Sequence, residues 1–134
     1  MAHRLQFEKQ SEIGCYCILT NSFCLVANTS PEAFVRQIED EIYPLPVVRT
    51  SCNGSSLIGC MFVANTAGVV VPSITTEEEF DALREQLPRE VKLARVDENL
   101  NSLGNHIACN DFVALINPEL SEVTVQILKE TCSV

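Results

Sequence analysis

The chain has 134 residues, 46% of them hydrophobic, enough to bury one core of ordinary size and too few to suggest a second domain. Its formal charge of −9 and pI near 4.6 argue against binding naked nucleic acid, because phosphate contacts need clustered Lys and Arg. No run approaches the roughly 18 apolar residues of a membrane span, and "MAHRLQFEKQ" lacks the apolar centre of a signal peptide, so a soluble, non-secreted chain is expected.

In chain order, an extended segment, "HRLQFEK", leads into "EIGCYCILTNSFCLVA" and then into a helical pattern that starts at Ser30 and Pro31 and carries Phe34 and Ile38 on one face. The phrase returns. "PVVRTSC" leads into "LIGCMFVANTAGVVVPSIT" and a helix led by Thr76 and three glutamates, with Phe80, Leu83 and Leu87 on its apolar face. "VKLARVD" leads into "SLGNHIACNDFVALINPEL" and a helix led by Ser121 and Glu122, with Val125, Leu128 and Cys132 on its face. Gly14, Gly59 and Gly104 mark the period, 45 residues each time. Asn65 and Asn110 follow the second and third glycines by six residues, whereas Asn21 follows the first by seven, as though one residue were inserted. Self-similarity at this interval marks a row or ring of like units that cannot each bury an apolar face alone.

The expected unit is strand, strand, strand, helix, repeated over residues 1–44, 45–89 and 90–134 of a single repeat domain. Runs such as "CMFVA" and "VALI" suit strands buried on both faces. Ser30, Thr76 and Ser121 supply N-cap oxygens, and Thr76 with Glu79 forms a capping box. Each helix face is expected to pack on its own sheet.

The seven cysteines are odd in number, lie mostly in apolar segments and show no zinc-knuckle spacing, so buried free thiols and a reducing compartment are expected, with no metal. Acid residues gather at 39–41, 77–79 and 97–98, either solvating helix faces or presenting a negative field to a basic protein. His3 and His106 lie in no nucleophile or metal signature, and phosphate-cradling and hydrolase motifs are absent from the sequence, so no catalytic residue and no cofactor are assigned. What recurs is Asn and Asp at the strand turns, at Asn21, Asn65, Asn110 and Asp111. Arranged about an axis, these would converge at one end of it. They serve either turn-making, through their own backbone hydrogen bonds, or surface recognition.

Read in order and at their intervals, "EIGCYCILTNSFCLVA", "IGCMFVANTAGVVVPSITTEEEF" and "SLGNHIACNDFVALINPEL" resemble the N-terminal three-fifths of the eukaryotic translation initiation factor six family, the ribosome anti-association factors. The likeness runs along essentially the whole chain. It implies an α/β fold of the pentein type, a five-unit propeller of which this chain holds about three units as an open arc, with no enzyme activity. It further implies a place on the intersubunit face of the large ribosomal subunit, mainly against a basic ribosomal protein near the sarcin–ricin loop and with little direct RNA contact. There such factors block joining of the small subunit. They accompany the maturing large subunit from nucleus and nucleolus to cytoplasm until a release GTPase and its partner eject them. Carried over on the best-matched phrase, Gly104, Asn105, Asn110 and Asp111 become contact residues, with Asn65 as the equivalent of Asn110 one unit earlier.

Cys60 stands where many members carry a basic residue, and His106 with Ile107 replaces small polar ones. The chain ends after the third unit's helix, so truncation of a longer protein is expected, with arc flanks that expose apolar surface and self-associate. Two other readings remain. One is an amidine-modifying enzyme of the same fold, with a Cys nucleophile. The other is a degenerate three-unit protein-binding module.

Overall fold

The computed structural model describes residues 2–134, and its elements follow from local chemistry that is used three times. In the first module, a 3-10 turn at Ile13–Cys15 leads into β1 (Cys17–Leu19), which pairs antiparallel with β2 (Cys24–Ala27). Helix α1 (Glu32–Ile42) then carries the chain back over the sheet, so that β3 (Val47–Thr50) lies parallel to β2. A parallel neighbour requires such a crossover. The second module repeats the order: the helical turn α2 (Ile58–Met61), β4 (Val63–Ala64), β5 (Gly68–Pro72), helix α3 (Glu77–Gln86) and β6 (Lys92–Val96). The third has the helical turn α4 (Leu103–His106), β7 (Ile107–Cys109), β8 (Ala114–Ile116) and helix α5 (Glu122–Cys132). The result is a mixed α/β structure of three small sheets, ordered β1-β2-β3, β4-β5-β6 and β7-β8.

Three expectations change at this level. The extended segment before each glycine does not open its own module: "PVVRTSC" and "VKLARVD" supply β3 and β6, which complete the preceding sheet. The observed order is therefore turn, strand, strand, helix, strand, and the sheets span the 44/45 and 89/90 divisions. Nor is a residue inserted in the first module. Thr20, six residues after Gly14, occupies the place of Asn65 and Asn110, since each donates its N–H to the carbonyl three residues on, at Phe23, Gly68 and Val113. Ser30, lastly, does not cap α1: Pro31 stands at the N-cap without a side-chain bond, and Ser30 Oγ has no partner among the described residues.

Layering follows from strand alternation. Cys24 and Val26 lie in one cluster with Phe34, Val35 and Ile38 of α1. Leu25, on the opposite face of β2, lies in another with Phe80 and Leu83 of α3, and so do Val69 and Val71 of β5. Val70 turns the other way, into a cluster with Leu128 and Cys132 of α5. Each of α3 and α5 is thus held between two sheets, rather than packed only on its own. The equivalents Leu25, Val70 and Leu115 measure the consequence: the first two are 0% exposed, and Leu115 is 71% exposed because, among the described residues, no helix covers the far face of the third sheet. The expectation that "VALI" is buried on both faces fails here for want of that layer.

The repeated glycine also acquires a cause. A Cβ on Gly59 would lie 1.8 Å from the Gly14 carbonyl oxygen, and one on Gly104 would lie 2.2 Å from the Gly59 oxygen. Successive helical turns therefore stack backbone on backbone, which only glycine permits.

Acid residues also have local work. Glu79 completes a capping box with Thr76 and reaches back to accept the N–H groups of Asn53 at 2.7 Å and Gly54 at 3.1 Å. Glu98, which is buried, accepts the Ser121 N–H at 2.9 Å at the start of α5 and the Leu100 N–H at 3.3 Å. The Ser121 backbone bond above all holds its carboxyl down at about 2, against an ordinary 4.5. A carboxyl depressed by folding stabilises fully above its unfolded value, and that contribution disappears as pH falls from about 4.5 towards 2. Glu98→Gln is expected to cost about 2 kcal/mol at neutral pH, with the gap to the native chain closing on acidification across that window. Urea midpoints measured at a series of pH values check this; a constant gap would contradict it.

Candidate functional site

The three strand turns meet at one end of the row of sheets. Leu19, Thr20 and Asn21 from the first module, Ala64 and Asn65 from the second, and Cys109, Asn110 and Asp111 from the third line one shallow depression. These are equivalent positions, offset by 45 residues. The sequence-based expectation of convergence holds in its geometry.

Each turn is built alike. Asn65 Oδ1 accepts the N–H groups of Ala67 and Gly68 at 3.0 and 3.1 Å, and Asn110 Oδ1 accepts those of Phe112 and Val113 at 2.8 and 2.9 Å. Thr20 does the same with its hydroxyl, which accepts from Ser22 and Phe23 at 3.2 and 3.0 Å. A hydroxyl and a carboxamide oxygen can both close such a turn. The side chains one residue on tie the turns to one another. Asp111 Oδ1 accepts the Thr66 N–H at 2.8 Å, and its Oδ2 accepts from Thr66 Oγ1 at 3.0 Å and from Asn21 Nδ2 at 2.6 Å. These bonds, led by that from the Thr66 backbone, keep the Asp111 carboxyl below the usual aspartate range. Asp111 is therefore an anion at the centre of the rim, touching both other modules.

The five sequence-predicted contact residues divide. Asn65, Asn110 and Asp111 come together on the rim; Gly104 and Asn105 lie at the other end of β7, in the helical turn α4. Asn65 is a scaffold residue rather than a contact. It is 3% exposed, and its Nδ2 donates to the carbonyls of Asn110 at 3.0 Å and Cys132 at 2.8 Å, so that its whole amide is committed internally. Gly104 is committed to the Gly59 carbonyl. Asn105 is exposed, and only its backbone N–H is engaged, with Ser102 O at 2.9 Å. Sequence reading missed Thr20 and Thr66, although strict 45-residue counting from Asn65 and Asp111 points to both. It also missed the exposed Phe112, which has the same composition as any core phenylalanine and is 88% exposed beside the rim.

Chemically, the rim offers carbonyls, amides, hydroxyls and one carboxylate. Burial raises the thiol of Cys109, which removes it further from a ready thiolate. His106 Nδ1 is 3.1 Å from Asn117 Nδ2 across the β7–β8 pair. Such a surface suits hydrogen bonding and shape matching.

Comparison with known proteins places the chain. The eIF-6 family model matches residues 2–134. The chain is 44% identical over 135 residues to Eukaryotic translation initiation factor 6 of Drosophila melanogaster, covering 100% of this chain and 55% of that protein. The protein of the same name from Saccharomyces cerevisiae is 42% identical over 135 residues, with the same coverages. That from Toxoplasma gondii is 44% identical over 135 residues, covering 100% of this chain and 51% of the relative. The chain thus spans about half the length of the curated relatives it matches. With a family model matched by every residue but Met1 and relatives 42–44% identical along the whole chain, the conclusion is direct: the chain belongs to the eIF-6 family.

Proposed function

We propose that this chain acts as a translation and ribosome-biogenesis factor, an open arc of three pentein-type modules that binds the large ribosomal subunit at its intersubunit face and prevents premature joining of the small subunit. The observation that carries this reading is the family match over residues 2–134 with 42–44% identity to several translation initiation factors. In this reading the chain acts in nucleus, nucleolus and cytoplasm, and a GTPase with its partner releases it. The charge of −9 supports a basic ribosomal protein as the docking partner, since an acidic surface gains nothing from rRNA phosphates. Among the predicted contacts, Asn105 and the rim residues Asn110 and Asp111 are the ones we assign to the interface; Asn65 braces the rim through its bond to the Asn110 carbonyl, and Gly104 lies against the Gly59 carbonyl in the stack of helical turns.

Co-sedimentation with purified large subunits near physiological salt tests the proposal. The folded chain should migrate with the subunits, and binding should weaken as salt rises, as expected for opposite charges near a surface. Asn105→Ala should lower affinity about tenfold, equivalent to roughly 1.4 kcal/mol, with thermal unfolding nearly unchanged. No co-migration by a folded sample would remove the ribosomal reading, and equal loss of fold and binding would make Asn105 structural.

A further inference from the structure

Between β3 and α2 the chain makes a tight turn in which Cys52 and Ser55 exchange backbone hydrogen bonds of 3.1 and 2.9 Å. At its tip stand Asn53 and Gly54, both exposed, with φ of 50° and 77°. This is the left-handed pair used by type I′ turns, which asparagine followed by glycine suits. It is also the one Asn–Gly pair in the chain. Such a pair is chemically labile, because the glycine nitrogen has no neighbouring Cβ to shield it from the asparagine carboxamide. Among the described residues, the bonds of Asn53 and Gly54 to other side chains come from their backbone N–H groups, and the Asn53 carboxamide is left free to turn towards the Gly54 nitrogen.

Glu79 stands against that attack. Its Oε1 accepts the Asn53 N–H at 2.7 Å, its Oε2 accepts the Gly54 N–H at 3.1 Å, and Oε2 also accepts from Ser51 Oγ. Burial alone would raise the Glu79 carboxyl, but the bonds from the Ser51 hydroxyl and from the Gly54, Thr76 and Asn53 backbones outweigh it and hold the group below its ordinary value. At neutral pH it is an anion. The turn does not need this carboxylate for its shape: Glu8 and Lys9, 45 residues earlier, have φ of 47° and 73° between Phe7 and Gln10, which exchange the same backbone bonds, and the counterpart of Glu79 there is Phe34. Beyond tying α3 to the turn, the two bonds fasten the proton that the Gly54 nitrogen must give up before it can attack.

We propose that Asn53 is a deamidation site and that Glu79 is its brake, so that this turn ages at a rate set by one carboxylate. The Gly54 nitrogen loses its proton and bonds to Asn53 Cγ, the Cγ–Nδ2 bond breaks, and ammonia leaves as a succinimide ring closes. Water then opens the ring at either carbonyl carbon and gives aspartate or isoaspartate. Water is consumed and ammonia released, with no oxidant or cofactor. A carboxylate beside the amide opposes the first step twice, by accepting the N–H and by repelling the nitrogen anion. The product places a second negative charge next to Glu79, and isoaspartate also lengthens the main chain by a methylene group, so the bonds from residues 53 and 54 to Glu79 weaken. Glu79 lies in the first turn of α3, whose Phe80 and Leu83 share a cluster with Leu25, Val48 and Cys52. Deamidation therefore loosens α3 from the first sheet and marks an aged chain by lower stability.

Peptide mapping of the full chain, held near neutral pH at physiological temperature and probed with an isoaspartate-specific methyltransferase, tests this. Product should collect at position 53, and faster in the chain unfolded in urea than in the folded chain. Glu79→Gln should speed the reaction of the folded chain about tenfold, because it removes the charge but not the turn. Thr76→Ala loosens the same helix end by removing the oxygen that accepts the Glu79 N–H, yet it leaves the carboxylate on the turn, so the rate should stay nearly unchanged. The deamidated fraction, separated by its added charge, should unfold at a lower temperature than the native chain. A folded chain that reacts as fast as the unfolded one, a Glu79→Gln chain that reacts no faster than the native one, or equal acceleration by Thr76→Ala overturns the brake. A product that unfolds at the native temperature overturns the stability mark.

Discussion

Gly59→Ala is expected to lose about 3 kcal/mol of stability, lowering the unfolding temperature by roughly 10 °C for a domain of this size. The methyl group would sit 1.8 Å from the Gly14 carbonyl oxygen and 2.9 Å from its carbon, and these are backbone atoms that no rotamer change moves aside. Relief requires the first and second modules to separate at the stack, which would loosen the cluster shared by Phe23, Leu25, Ile58 and Phe62. Gly104→Ala should behave alike, because its methyl group would meet the Gly59 oxygen at 2.2 Å. Gly14→Ala is the internal control. The same residue type in the same repeat position has open space around it, so its change should stay within about 0.5 kcal/mol. Thermal unfolding of the three variants side by side decides the matter; equal effects at all three positions would mean that helix propensity rather than close approach explains the glycines.

The second large effect is expected at Asn65. Asn65→Ala removes four hydrogen bonds at a position 3% exposed, leaving the Cys132 carbonyl and the Gly68 N–H without their partners. Unsatisfied buried groups cost about 1–3 kcal/mol each, so a loss of about 3 kcal/mol is expected. Asn65→Thr separates the two roles of the amide. Thr20 shows that a hydroxyl can close this turn, so the threonine variant should keep the turn and lose only the bonds across to Asn110 and Cys132. It should recover roughly half of the lost stability. Amide hydrogen exchange reads where the loss falls: in both variants, protection should decline first in β7, β8 and α5, which Asn65 fastens to the second module. Uniform loss of protection would place the role of Asn65 in the turn alone.

A similar division separates what the repeat makes legible from what it hides. The period of 45, the strand turns and the capping box at Thr76 and Glu79 are local, because each depends on residues a few positions apart. Convergence of the turns also follows, since equal modules in a regular row bring equivalent positions to a common edge. The ownership of β3 and β6 does not. A segment between a helix and a glycine has the same composition whether it completes the sheet behind it or opens the one ahead, and only the parallel ladder to β2 or β5 decides. Thr20 was hidden for a related reason: pattern matching follows residue identity, whereas the turn needs only an oxygen in the right place.

Candidate contacts show the same limit. Asn65, Asn105 and Asn110 are one residue type in similar phrases, yet one amide is consumed inside the structure, one faces solvent, and one closes a turn on the rim. A carboxamide carries no mark in sequence of which neighbours will take its bonds. What the sequence alone determined is the repeat period, the local turn and cap signals and the family resemblance, because hydrophobic spacing, caps and glycine placement act within one repeat. Burial of Leu25 and Val70 against exposure of Leu115, the roles of the glycines and the linkage of three turns through Asp111 were settled only when modules met. Those properties belong to surfaces between repeats, where residues at equivalent positions meet different neighbours.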